Sequence, residues 1–360
     1  MIEPHRYSVG ILGATGLVGQ QLVQLLQGHP WFELRALAAS ERSAGRVYAD
    51  AVSWRMEAPL PPAVAAMAVQ PLRPELDCDL VFSALDAAVA GEAEEAFARA
   101  GYPVISNAGA HRMDDDVPLL IPEINPSHLE AIPEQQRRRG YAGGYLVTNP
   151  NCSATGLAMA LKPLQDAFGV FAATVVTMQA ISGAGLDQLA ASAVQDNLIP
   201  FIRAEEPKLE REPLKILGGW HGGRFSPADM VLSASCNRVP VLYGHTESVS
   251  VRLGSDATAE RITAAMAGFH GLPQELRLPS APPQPLVVSQ DQERPQPRLD
   301  RNAGRGMAVS VGRVRPCPVL GWKFSLVVHN AVRGAAGAAL LNAELLAAQE
   351  RLPVRRSAGT

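Results

Sequence analysis

Ten residues near the start of the chain constrain its fold more than any others: Gly10-Ile11-Leu12-Gly13-Ala14-Thr15-Gly16-Leu17-Val18-Gly19. They close a β-type run, Tyr7 to Leu12, and lead into a segment where Leu17, Val18, Leu22, Leu25 and Leu26 recur at helical spacing. Glycines between a strand and a helix permit a tight turn and let backbone N–H groups approach a pyrophosphate at the helix N-terminus. The spacing is G-x-x-G-x-x-G rather than G-x-G-x-x-G, and a glycine-rich turn without a ligand is the competing reading. Gly13, Ala14, Thr15, Gly16, Leu17 and Val18 are the expected contacts to a dinucleotide.

The rest of the first half keeps this alternation. Phe32–Ala38, Leu80–Ala84, Pro103–Ser106 and Tyr145–Thr148 read as strands, with a helical stretch at Ala87–Ala100. Strands alternating with helices predict a parallel sheet covered on both faces. Beyond residue 150 the pattern changes. A helix with Leu157, Leu161, Leu164 and Phe168 on one face comes first. Then Val249–Leu253 and Val309–Arg313 alternate apolar and polar residues, as strands with one buried face do. Residues 273–298 are rich in Pro and Gln and are expected as an extended surface connection. Ala190–Ile202 is expected to be helical, with Leu198, Ile199 and Phe201 in a subunit interface or in the core. A terminal helix is expected over Arg333–Gln349. The chain thus reads as a nucleotide-type α/β domain over 1–150, completed by a C-terminal helix within 331–360. An α+β domain with a mixed or antiparallel sheet follows over 151–330.

Composition narrows the function. The chain has 360 residues, with 32 Lys+Arg against 35 Asp+Glu and a net charge of −3, so it lacks the positive charge of a general nucleic-acid binder. Its 47% hydrophobic content excludes a disordered chain. No apolar run approaches the roughly 20 residues that span a bilayer, so no membrane partner is expected. Met1 to Tyr7 lacks an apolar signal segment, which makes the cytoplasm the expected location. The cysteines Cys78, Cys152, Cys236 and Cys317 are far apart and form no C-x-x-C pair, so neither a metal site nor a disulfide framework is expected.

One cysteine stands apart. In Asn149-Pro150-Asn151-Cys152-Ser153 a strand ends, Pro150 breaks the chain and an apolar helix begins, which places Cys152 at a helix N-terminus. The partial positive charge there is expected to lower the thiol pKa and expose the sulfur. Cys78, Cys236 and Cys317 read as buried small residues. A thiolate nucleophile needs an acid/base partner. Among eight histidines, most read as surface residues, and His245, at the mouth of a strand after Gly244, leads His329 only modestly. After the second strand, Ser40-Glu41-Arg42-Ser43 puts an arginine between hydroxyls, which favours a ribose 2′-phosphate and hence NADP, with Glu41 as counter-evidence. The runs Asp114–Asp116 and Arg137–Arg139 are expected in solvated loops.

With these pieces in place, the chain resembles the aspartate-semialdehyde dehydrogenases, most closely their archaeal and fungal branch. The resemblance runs through the Gly10–Gly19 loop, Ser106-Asn107, His111-Arg112-Met113 and Asn149–Gly156. It continues through Gln179-Ala180-Ile181-Ser182-Gly183, Glu205-Glu206-Pro207-Lys208, Lys215–Gly218, Arg238–His245, Arg294–Arg301 and His329-Asn330-Ala331-Val332-Arg333. It implies a Rossmann-like first domain and a catalytic and dimerisation domain after it. It also implies Cys152 as nucleophile, His245 as acid/base and Gln179 as the residue orienting the acyl group. Arg238 would take the substrate carboxylate, Glu205 or Glu206 the ammonium, and Lys208 and Arg112, with Asn107 nearby, the phosphate. Ser83, Ser182, Gly183 and Asn330 would join Ser40, Arg42 and Ser43 around NADP. A homodimer or homotetramer is implied. Ala154 and Ala331 stand where the family usually has Thr, and Pro207 where a charged residue is usual.

The implied reaction is NADPH-dependent reduction of L-aspartyl-4-phosphate to L-aspartate 4-semialdehyde through a Cys152 thioester, in the biosynthesis of lysine, methionine and threonine. A thiolate attacks near neutral pH and leaves well, and an imidazolium at His245 would exchange proton and charge with it. Malonyl-CoA or succinyl-CoA reduction, or another acyl-phosphate reduction, is the alternative substrate reading. A nucleotide-binding regulatory protein is the alternative without catalysis. The acid–base pair of Arg238 with Glu205 or Glu206 suits a zwitterionic substrate and favours aspartyl phosphate.

Overall fold

A computed structural model of the chain describes residues 6–184 and 194–353. Its first sheet has six parallel strands: β1 (Tyr7–Leu12), β2 (Phe32–Ala39), β3 (Val69–Pro71), β4 (Leu80–Ser83), β5 (Pro103–Ser106) and β6 (Tyr145–Thr148), in the order β3-β2-β1-β4-β5-β6. The strand order reverses between β1 and β4, the crevice where doubly wound sheets bind dinucleotides. Helices Leu17–Leu25 and Ala87–Arg99 follow β1 and β4. The strands are short apolar runs buried on both faces, which explains why they read clearly from sequence.

The second sheet contains β7 (Val170–Gln179), β10 (Val231–Arg238), β11 (His245–Leu253), β12 (Leu286–Ser289), β13 (Val309–Cys317) and β14 (Gly321–Val328), after a small hairpin of β8 (Gly219–His221) and β9 (Arg224–Ser226). Its order is β10-β7-β11-β14-β13-β12, and it is mixed: β10 with β7 and β12 with β13 are parallel, the other pairs antiparallel. One face packs on helices Cys152–Phe168, Glu205–Ile216 and Ala259–Ala267 in a shared apolar core. The other face stays open along Thr174, Val176, Ser233, Ser235 and Ser248. The helix Gly337–Ala348 returns to the first sheet, where Leu340, Leu341 and Leu345 join Val9, Ile11 and Phe82 in one core.

Several expectations change. Residues 273–298 do not form a plain surface connection, because Leu286–Ser289 adds to the edge of the sheet as β12. Residues 194–202 contain no helix; Ile199 instead pairs with Arg238 through an isolated β-bridge, and Leu198 and Phe201 are exposed. The rest of the expected Ala190–Ile202 helix lies outside the described residues. The terminal helix opens with a π-turn at Val332–Ala336 and ends at Ala348, and residues 354–360 lie outside the described set. The charge runs are not free loops. Arg139 closes a helix and pairs with Asp114, Asp116 and Glu95. Histidines 29, 111, 128 and 329 are buried rather than on the surface. His29 pairs with the buried Glu344 at 2.9 Å, so a polar partner distant in sequence meets the cost of burial. Cys78, Cys236 and Cys317 are buried, as read. Among the described residues, no helix is long and apolar enough to cross a membrane.

Candidate active site

Sheet geometry assembles the site from one end of the second sheet. Gln179 is the last residue of β7 and Arg238 the last of β10, side by side in parallel register. His245 opens the antiparallel β11, so it arrives at the same end. Asn330 follows just beyond the end of β14. Over this edge lies the N-terminus of the helix Cys152–Phe168. Asn151 caps it, its Oδ1 accepting from the backbone N–H of Ser153 at 3.0 Å and of Ala154 at 3.2 Å. Asn149 is pinned in turn: its Nδ2 donates to Asn107 Oδ1 at 2.8 Å, and its Oδ1 accepts from Asn342 Nδ2 at 2.6 Å.

The sulfur of Cys152 is 3.1 Å from Nε2 of His245. The other ring nitrogen, Nδ1, faces the backbone N–H of Ala180 at 3.0 Å. An amide can only donate, so Nδ1 must accept and the imidazole proton sits on Nε2, aimed at sulfur. His245 is fully buried, and burial, reinforced by the nearby Arg238 charge, pulls its pKa down to about 3. The resting ring is therefore neutral. Cys152 is partly exposed, as expected at a helix start, but its pKa moves opposite to the expected direction. Burial, with the Glu205 charge second, pushes Cys152 up to about 12; Arg112, the Ser153 N–H and Arg238 pull the other way and are outweighed.

The two glutamates point to different partners. Glu205, 8% exposed, accepts from Asn151 Nδ2 at 2.8 Å, Lys208 Nζ at 2.8 Å and Gln179 Nε2 at 3.3 Å. Burial works against ionisation, but Lys208 and these donors hold its carboxyl below the usual range. Glu206 turns aside and accepts from the Cys236 backbone N–H at 3.1 Å. Arg238 donates to the Ala180 carbonyl at 2.7 Å. A Cβ on Gly183 would lie 3.0 Å from the Arg238 guanidinium and 3.1 Å from the His245 ring, so the glycine keeps space open above the pair. Arg112 donates to Glu212 at 3.1 Å and to the Asn107 carbonyl at 2.7 Å.

The sequence matches two family models, the semialdehyde dehydrogenase NAD binding domain over residues 8–132 and the semialdehyde dehydrogenase dimerisation domain over residues 161–333. Aspartate-semialdehyde dehydrogenase of Archaeoglobus fulgidus is 49% identical over 342 residues, covering 95% of this chain and 98% of the relative. That of Methanothermobacter thermautotrophicus is 50% identical over 343 residues, covering 94% and 98%. This chain belongs to the aspartate-semialdehyde dehydrogenase family. The crystal structure of aspartate-semialdehyde dehydrogenase with NADP from Candida albicans aligns with a TM-score of 0.88 at 42% identity, over 96% of this chain and 100% of the other.

The family's NAD binding domain carries the expected groove here. A cavity of about 480 Å³ at the reversal of strand order is lined by Gly13, Thr15, Gly16, Ser40, Glu41, Arg42 and Arg73, among others. Gly13 has a φ of +79°, and a Cβ on it would meet the Ala84 carbonyl at 2.5 Å, so only glycine lets this turn lie so close to the chain leaving β4 at the groove. The residues fit a dinucleotide. Leu17 and Val18 begin the helix that points into this groove, with Ala14 buried beneath them. Ser43 lies in the same turn as Arg42, behind the lining residues. Ser83 differs: its hydroxyl is buried and donates to Glu94 at 2.5 Å, and its carbonyl accepts from the Asn107 N–H and Nδ2. Asn330 is tied to the Ser182 hydroxyl at 2.9 Å and to the Gly244 N–H at 2.9 Å, which joins three loops of the site. Arg73, Glu212 and Lys215 were not found from sequence. Arg73 follows the three-residue β3, too short to register as a strand, and the other two looked like a solvated helix face.

Proposed function

We propose that this chain is an NADP-dependent aspartate-semialdehyde dehydrogenase that converts L-aspartyl-4-phosphate to L-aspartate 4-semialdehyde and phosphate. One observation carries the reading: a cysteine sulfur 3.1 Å from a histidine Nε2, flanked by a buried arginine on one side and a buried carboxylate on the other. Arg238 and Glu205 match the α-carboxylate and α-ammonium of an amino-acid substrate, and Lys208 and Arg112, with Asn107, match its phosphate. The Cys152 sulfur bonds to the acyl carbon while the carbon–oxygen bond to phosphate breaks; the departing phosphate oxygen keeps that electron pair and takes up the thiol proton, so that it leaves as hydrogen phosphate. NADPH, when bound, supplies the hydride that reduces the resulting thioester. The carbon–sulfur bond then breaks with its electron pair going to sulfur, and Nε2–H of His245 hydrogen-bonds to the thiolate so formed, which recovers its proton from water. Gln179 turns the acyl group, and Gly13 to Val18, Ser40, Arg42, Ser43, Ser182, Gly183 and Asn330 hold the cofactor. Among these, Arg42 and the neighbouring Arg73 are the cations available to a 2′-phosphate.

The decisive assay is phosphate-dependent NADP reduction by aspartate semialdehyde, run beside NADPH oxidation by malonyl-CoA. Activity with malonyl-CoA alone would overturn the substrate assignment. Two expected results refine it. Glu205→Gln raises KM for aspartate semialdehyde and leaves KM for NADP unchanged, whereas Glu206→Gln is nearly silent; the reverse pattern would move the ammonium site to Glu206. Arg42→Ala weakens NADP much more than NAD, read as the ratio of kcat/KM values. Equal kinetic efficiency of the wild type with both cofactors would remove the basis for Arg42's role.

The division is into a cofactor-binding domain, 1–150 with the C-terminal helix of 331–360, and a catalytic domain, 151–330; each sheet has its own apolar core, with Leu278 and Met307 joining the first and Leu119 and Ile121 the second. The match of the second half to a dimerisation domain and the uncharged open face at Thr174, Ser233, Ser235 and Ser248 support a homodimer built on that face. A cytoplasmic location agrees with these readings.

A further inference from the structure

The helix Glu205–Ile216 turns Glu205, Leu209, Glu212 and Lys215 inward, spaced so that they share one face. Glu205 belongs to the site already described. Glu212, only 2% exposed, does something separate. Its Oε2 accepts from the backbone N–H of Asn151 at 2.6 Å, and its Oε1 accepts from Arg112 Nη1 at 3.1 Å. Asn151 is the cap of the helix that begins at Cys152, whereas Arg112 comes from the loop after β5. One carboxylate therefore spans the nucleophile turn and the expected anion-binding arginine.

One turn further on, Lys215 Nζ donates to the carbonyls of Arg112 at 2.8 Å, Asp114 at 2.7 Å and Val117 at 2.8 Å. The same helix thus holds both the guanidinium and the backbone of Arg112. A guanidinium has five N–H donors in a rigid fork. Here Glu212 and the Asn107 carbonyl engage one terminal nitrogen each, and the buried Nε has no partner among the described residues. The fork is oriented by protein yet keeps donors for an anion. Its charge is also felt by the Cys152 sulfur, where it opposes the effect of burial.

We propose that Glu212 is a positioning residue that sets Arg112 against Cys152, so that the phosphate of an acyl phosphate is gripped with its carbon in line with the sulfur. This rests on the reading of Arg112 as a phosphate ligand. Glu212→Gln keeps size but places an NH2 group against one of two donors, so one of the two bonds is lost.

The test uses the purified full chain in the oxidative direction, with inorganic phosphate as the varied substrate. Glu212→Gln is expected to raise KM for phosphate about tenfold or more, with KM for NADP unchanged. Glu212→Asp, which keeps the charge with a shorter reach, serves where the amide variant fails to fold, and it should raise KM for phosphate by less. Arg112→Gln alone should raise KM for phosphate, and adding Glu212→Gln to it should raise KM little further, because the two act through one contact. An unchanged KM for phosphate in the Glu212 variants, beside a raised one in Arg112→Gln, overturns the positioning role. So does full additivity in the double variant. An unchanged KM in Arg112→Gln overturns the phosphate reading itself, and the proposal with it.

Discussion

Cys152→Ser keeps the fold and loses turnover by several orders of magnitude. The change in volume is small and the position is the first turn of a well-capped helix, so packing survives. The chemistry does not. Serine at this position would face the same neutral Nε2–H donor, and its hydroxyl holds its proton more tightly than a thiol and is the weaker nucleophile. An ester formed on serine would also accept hydride poorly and leave as a worse group than sulfur. Steady-state assay of the purified variant checks this, with circular dichroism to verify the fold. Retention of more than about a tenth of wild-type turnover, only ~1.4 kcal/mol of barrier, would remove Cys152 as nucleophile.

The largest effect on stability is expected at Arg333. Its guanidinium meets Glu123 in a two-pronged pair, Nη1 to Oε1 at 2.7 Å and Nη2 to Oε2 at 2.7 Å, with both side chains at most 1% exposed. Nη2 also lies 3.3 Å from the Met159 sulfur, on the helix that carries Cys152. Arg333→Met leaves Glu123 as a buried, unpaired carboxylate, which costs about 3–5 kcal/mol. Replacing both residues, Arg333→Met with Glu123→Leu, removes the stranded charge and should restore much of that loss. Urea unfolding of the two variants beside the wild type reads both numbers. A single variant within about 1 kcal/mol of wild type would contradict the prediction.

Much of this was legible in sequence where the signal is local. Strands such as Pro103–Ser106 and Tyr145–Thr148 are apolar runs ended by turn residues, and both sit where the pattern placed them. Cys152 was legible because Pro150 and Asn151 mark a helix start. The inward-facing charges were not. Glu212 reads as an ordinary helix-surface residue until Arg112, 100 positions away, is brought beside it. Arg333 and Glu123 are separated by 210 positions, and neither local pattern hints at the other. His29 was misread for the same reason: it depends on Glu344, across nearly the whole chain. The state of the thiol was misjudged because a helix terminus is a local feature, whereas desolvation is a property of everything packed around it.

The contact between the Ala180 amide and the His245 ring has a consequence for anyone redesigning this enzyme. Where a side-chain carboxylate steers a catalytic imidazole, a single codon change to the amide retunes it, and acid can disengage it. A peptide nitrogen offers neither handle. It does not ionise across the range in which proteins survive, and every amino acid except proline supplies the same N–H. The ring's orientation is thereby insulated from every substitution at residue 180 except proline, which deletes the N–H, and from acidity down to the point where the ring itself takes up a proton.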